Sequence, residues 1–212
     1  MGPNPGTSTD GAVRRAAESR RVALLTVVGC IATAAPAIYV EMGVPFAVPL
    51  IGAAVVALVA WSMTSFRHPG ESDGVVVLYI AGIVALMVEH AEQWLSRTPE
   101  LVARLASRWA APGFVFNERI LIAGFAIASP ALFLLGGFFL VRRHLLGDYM
   151  AWLLFVWSLV AGLLQGALAV SCLGALGVTT GIATCVPPLL LGALGARRLI
   201  VSSRALSRTV MP

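Results

Sequence analysis

Six long apolar stretches restrict what this chain can fold into: Val22 to Met42, Pro45 to Phe66, Gly74 to Ser96, Arg119 to Val141, Tyr149 to Cys172 and Val178 to Ile200. A helix needs about 20 predominantly apolar residues to cross the hydrocarbon of a bilayer. Inside hydrocarbon each backbone N–H and C=O must be paired, and a helix pairs them within its own segment. Composition points the same way. Only 12% of the 212 residues are charged, 58% are apolar and mean hydropathy is +0.89, whereas soluble domains carry about 25% charge. A soluble globular domain is excluded. The sequence predicts an all-α, polytopic transmembrane helical bundle of about six spans, held in one domain from residue 22 to residue 200.

The charges that do occur sit at the edges of the apolar runs. All 15 basic residues are arginine, and the net charge of +5 reads as contact with anionic lipid headgroups. The partner this implies is the bilayer itself. A nucleic-acid partner would need a basic stripe on a soluble face, and the sequence has none. Met1 to Asp10 is rich in Gly, Pro, Ser and Thr, and residues 1–21 read as a disordered basic tail. The apolar run that follows continues past Tyr39 without a cleavage-like site, so it reads as the first span. Residues 201–212 form a second tail. With six spans, Arg14, Arg15, Arg20, Arg21, Arg67, Arg142, Arg143, Arg197, Arg198, Arg204 and Arg208 share one side, and the positive-inside rule puts both termini in the cytoplasm of a cell membrane. The opposite side holds Arg97, Arg104, Arg108 and Arg119. There Thr98 to Ala111 places Leu101, Val102, Leu105 and Trp109 at helical spacing, which predicts a short interfacial helix between spans three and four. Cys30, Cys172 and Cys185 lie inside apolar segments without paired spacing and read as small buried thiols.

Ionisable groups inside a membrane are costly, and their default reading is functional. Four segments bring such groups to the extracytoplasmic half. Glu41 ends span one. Glu89, His90, Glu92 and Gln93 end span three, and Asn117 and Glu118 open span four. Gln165 and Ser171 near the end of span five face Thr179, Thr180 and Thr184 at the start of span six. The sharpest unit is Glu89-His90-Ala91-Glu92-Gln93-Trp94. On a helix Glu89, Gln93 and Arg97 stack one turn apart, with Glu92 beside Glu89. Two carboxylates so close in a low dielectric cannot both carry charge comfortably, so the pair suits the holding and release of one proton. The competing reading is an ordinary span edge, with charges snorkelling to headgroups beside an anchoring Trp94. For Glu41 and Glu118, at helix boundaries, that edge reading is the stronger.

No metal or cofactor is expected. His68 and His144 fall on the far side from His90, leaving too few ligands for a carboxylate–histidine metal bundle. There is no Gly-rich phosphate loop and no Gly-x-Ser-x-Gly elbow. Gly136, Gly137, Gly162 and Gly166 read as close-packing positions.

The segments Glu89 to Trp94, Phe114-Val115-Phe116-Asn117-Glu118-Arg119 and Gly181-Ile182-Ala183-Thr184-Cys185-Val186-Pro187 resemble the bacterial HXXEE family of small membrane proteins. The resemblance covers about residues 75 to 200 and implies a small multi-pass bundle with a His-x-x-Glu-Glu element late in a span. The chain departs from that pattern: Glu89 stands where the family has histidine, His90 is out by one, and Gln165 stands in for a later histidine. Glu92-Gln93-Trp94-Leu95-Ser96-Arg97 also looks like the Glu-Glu-x-x-x-Arg element of CAAX-type intramembrane proteases, but their later histidine motifs are missing here.

Two function classes remain open. In the first, the chain is a membrane-embedded acid/base catalyst of cyclase or isomerase type acting on a lipophilic small molecule such as an isoprenoid or lipid. Glu89 and Glu92 exchange the proton with His90 beside them. Gln93, Asn117, Glu118, Gln165 and Glu41 are candidate substrate contacts, and Trp61, Trp152, Trp157 and Phe155 are candidate wall residues. In the second, the chain is a non-enzymatic transporter subunit or scaffold whose acidic cluster holds a cation or proton. Its oligomeric state is not legible. The Lys-free, Ala- and Arg-rich usage fits a high-GC bacterium.

Overall fold

The computed structural model describes residues 6–42, 44–66, 73–95, 127–172 and 180–209. Among them are six helices and no strand: α1 (Gly6–Met42), α2 (Val44–Met63), α3 (Asp73–Leu95), α4 (Ser129–Val141), α5 (Leu145–Cys172) and α6 (Thr180–Thr209). Four are long and apolar enough to cross a membrane, over Arg15–Val40, Asp73–Glu92, Leu145–Ala167 and Cys185–Arg204. The apolar parts of α2 and α4, Ala47–Met63 and Ser129–Val141, are shorter. The expected interfacial helix at Thr98 to Ala111 lies outside the described residues, as does the first part of the fourth predicted span.

Helix ends show where sequence reasoning needs correction. α1 begins at Gly6, so residues 6–21, expected to be disordered, continue the helix. Ala12, Ala16, Ala17 and Glu18 are good helix formers, and once the apolar part of α1 has formed, each further residue adds a hydrogen bond without a new nucleation cost. α6 likewise runs on to Thr209, beyond the expected end at Ile200. There Ser202 and Ser203 turn their hydroxyls back to donate to Leu199 O and Ile200 O.

α5 is the central element, packed against α1, α2, α3, α4 and α6. Close approach to α6 depends on glycines. A methyl group at Gly162 would come within 2.6 Å of Leu189 and 2.9 Å of Cys185 O, and one at Gly195 would fall on the ring of Phe155. α3 and α4 are joined by Tyr79, whose hydroxyl donates to Phe133 O at 2.7 Å. Gly136 opens the space for that phenol, since a methyl there would sit 2.5 Å from the hydroxyl. Buried among apolar groups, an unmatched hydroxyl is costly, so this one bond fixes the α3–α4 register.

At one end of the bundle aromatic rings close the α2–α5 contact. Trp61 meets Phe66 at 4.8 Å and Tyr149 at 5.6 Å between ring centres, both edge-on. Trp152 donates its indole N–H to Ser65 Oγ at 3.4 Å. The α4–α5 turn is a Schellman motif: His144 N–H donates to Phe139 O and Arg143 N–H to Leu140 O. Arg143 takes the left-handed position of that motif, with φ 54°.

Gly195→Ala is expected to destabilise the bundle by about 1–3 kcal/mol, the usual cost of overpacking. Gly52, with nothing within 4 Å of an added methyl, supplies the comparison: Gly52→Ala should unfold like the parent in thermal melts in detergent. Equal behaviour of the two variants would mean that the α5–α6 contact is not close-packed.

Candidate functional site

Contacts along the helices fix the levels at which side chains meet. Tyr79 lies edge-on to Phe155, 6.4 Å between ring centres, and a methyl at Gly82 would touch Leu154 at 3.3 Å. Gly74 lies level with Arg198, while Phe155 lies against Gly192 and Gly195. Going up α3 therefore means going down α6, and α3 runs parallel to α5.

From this register the candidate polar residues can be placed. Glu89 lies ten residues beyond Tyr79, and Gln165 ten beyond Phe155, so each rises about 15 Å from the shared aromatic layer. Glu89 is seven residues beyond Gly82 and Gln165 eleven beyond Leu154, spacings that return to the same helix face. Both therefore stand on facing stripes of α3 and α5 above the aromatic layer, Glu89 about 10 Å and Gln165 about 16 Å beyond the Gly82–Leu154 contact. On α6, Cys185 Sγ is 3.7 Å from where a Gly166 methyl would be. Glu89 is 1% exposed and Cys185 is buried. Gln165 is half-buried.

Glu89 is enclosed by the bundle near the end of the apolar stretch Asp73–Glu92. His90 and Glu92 are half-buried on the same end of α3. Glu92 Oε2 is buried with no hydrogen-bond partner among the described residues. One turn separates the two carboxyls, so like-charge repulsion acts between them in a medium that screens it poorly. Gln93 and Glu41 fall on the last turns of α3 and α1, with side chains outside what the structure describes. Asn117 and Glu118 lie outside the described residues, and so do the side chains of Ser171, Thr179, Thr180 and Thr184.

Of the aromatic residues expected to line a pocket, Phe155, Trp61 and Trp152 stand elsewhere. Phe155 is in the Tyr79 layer, about 15 Å below Glu89. Trp61 and Trp152 close the α2–α5 contact further toward the opposite end. Their packing in the core accounts for their burial. Among the described residues no group of three or more His, Cys, Asp and Glu side chains is placed to share a metal ion.

Three polar residues were not singled out from the sequence. Ser158 is 1% exposed on the Leu154–Gln165 stripe, and its Oγ has no hydrogen-bond partner among the described residues. Its spacing of seven from Gln165 was the available signal. Asp148 is buried in the first turn of α5, where the exposed N–H groups and dipole of a helix start favour a carboxylate. The sequence reads Cys185 as a small buried thiol, and the α5–α6 register brings it to the Glu89 end of the bundle.

Comparison with known protein families, with curated proteins and with solved structures finds no match.

The register itself is testable. With the native cysteines replaced by serine, Glu89→Cys and Gln165→Cys should be bridged by a short thiol-specific crosslinker. Glu89→Cys with Leu163→Cys should not, because Leu163 is 63% exposed and points away. The reverse pattern would discard the assigned register.

Proposed function

We propose that this chain is a membrane-embedded acid/base catalyst of cyclase or isomerase type, acting on a lipophilic small molecule such as an isoprenoid or lipid. The observation that carries the reading is the burial of Glu89 inside an apolar helical bundle, with Glu92 one turn further along α3. An intramembrane carboxyl costs roughly 3 kcal/mol at a helix centre, and such a residue is a functional candidate by default.

The chemistry this pair suits needs no outside reagent. Glu89, holding the proton of the pair, delivers it to a carbon–carbon double bond. The carbocation so formed loses a proton from a neighbouring carbon to the Glu92 carboxylate, which completes a double-bond shift. Passage of the proton from Glu92 back to Glu89 restores the starting state. Low water activity around the pair protects the cationic intermediate from capture. His90 lies between the two in sequence, and Gln165 supplies an amide to orient the substrate. Gln93, Asn117, Glu118 and Glu41 complete the proposed substrate contacts.

The finer topology belongs to the same proposal: six spans, with α2 and α4 crossing beside the four longer helices, and both termini on the cytoplasmic side of a bacterial cell membrane. It is supported by the described arginines, since Arg15, Arg20, Arg21, Arg142, Arg143, Arg197 and Arg198 gather toward one end of the bundle. Kinship with the HXXEE family rests on the motif resemblance alone.

Glu89→Gln and Glu92→Gln should each abolish the change in isoprenoid and lipid profile that expression of the parent chain produces, while membrane levels stay the same. Full conversion by both variants would remove the catalytic reading. Proton- or cation-coupled flux in proteoliposomes, without chemical conversion, would replace it with a carrier.

A further inference from the structure

We infer that a cleft between α1 and the α4–α5 turn is a binding site for the phosphate-bearing head of an anionic membrane phospholipid. This is independent of the Glu89 chemistry and concerns the other end of the bundle.

The cleft has a volume of about 360 Å³, at the small end of the range of roughly 300–1,000 Å³ that small-molecule sites occupy. Its α1 wall is one helix face: Arg15, Glu18 and Ser19 recur at the spacing that leads on to Val22 and Ala23. The opposite wall is His144 and Leu146 from the turn. The charged groups therefore lie at one end of the α1 wall and Val22, Ala23 and Thr26 at the other, where the Thr26 hydroxyl donates back to Val22 O at 2.9 Å. That is the order of an amphiphile's head and first methylenes, and it falls where α1 passes from its arginine-rich start into its apolar span.

The charge around it fits an anion. Arg15 lines the cleft, while Arg21 on α1 and Arg142 and Arg143 on the turn are exposed nearby in the chain. Basic pockets between membrane helices are recurrent sites for phosphate-bearing lipid heads. The turn also fixes the donor on His144. The Leu146 N–H donates to His144 Nδ1 at 3.2 Å, so Nε2 is the nitrogen that carries hydrogen, and it can donate to a phosphate oxygen. The Schellman bonds hold the backbone of His144 in place. Glu18 is the one carboxylate on the lining, and it opposes an anion.

Two substitutions of opposite sign follow. The experiment is thermal unfolding of the purified full chain in neutral detergent, titrated with dioleoylphosphatidylglycerol, dioleoylphosphatidylcholine or inorganic phosphate. The phosphatidylglycerol should raise the parent's midpoint saturably, whereas phosphatidylcholine and phosphate should not. The double variant Arg15→Gln/His144→Ala should need about tenfold more of the anionic lipid, the loss expected for one charge-assisted hydrogen bond. Arg197→Gln, on a helix that does not line the cleft, should titrate like the parent. Glu18→Gln should need less lipid than the parent, a gain that a damaged fold would not produce. Parent-like titration of the double variant, or an equal response to phosphatidylcholine, would overturn the assignment. A response to phosphate alone would mean a soluble-anion site. If the double variant does not fold, Glu18→Gln decides: no tightening sinks the proposal.

Discussion

Close approach of backbones at α5 is the constraint on which the rest of this structure depends. Within a bilayer, apolar side chains gain nothing from meeting each other instead of lipid, so helices associate through packing and a few polar bonds. α5 meets this requirement with small residues. Gly162 accepts Leu189 and the Cys185 carbonyl, and Gly195 on α6 accepts the face of Phe155. Phe155 then reaches Tyr79, and Tyr79 reaches Phe133 O on α4. One aromatic layer thus ties α3, α4, α5 and α6 together, and its geometry sets the level of everything above it.

A rigid layer below is what allows a carboxyl above. Glu89 is held inside the bundle by a helix whose register is fixed two turns and more away, so its burial is imposed by the packing of Tyr79, Gly82 and Leu86. The polar groups of this end come from three helices that are far apart in sequence. Glu89, Gln165 and Cys185 come to the same end of the bundle because α3 and α5 run parallel and α6 runs antiparallel to both.

Much of the helical organisation was legible in the residues. The described helix α3, Asp73–Leu95, covers nearly all of the expected third segment, Gly74 to Ser96, and α2 begins at Val44, next to the expected start at Pro45. Less legible were ends that no change in hydropathy marks: α1 starts at Gly6 and α6 reaches Thr209 because helix propensity continues after apolarity stops. Four of the expected spans are matched by described helices long and apolar enough to cross a membrane, and residues 119–126 of the fourth lie outside the described residues. At the candidate site, Glu89 stood out by its charge. Ser158 and Cys185 did not, because a small side chain in an apolar helix says nothing until the neighbouring helix is in register.

The antiparallel return of α6 bears on how the chain matures. α3 is complete long before the residues that face it on α6 exist, and α3 meets α6 as extensively as α4 meets α5. During synthesis, then, α3 waits for one of its main packing partners until α6 has been made, and a chain truncated before Thr180 would leave the α6-facing side of α3 uncovered.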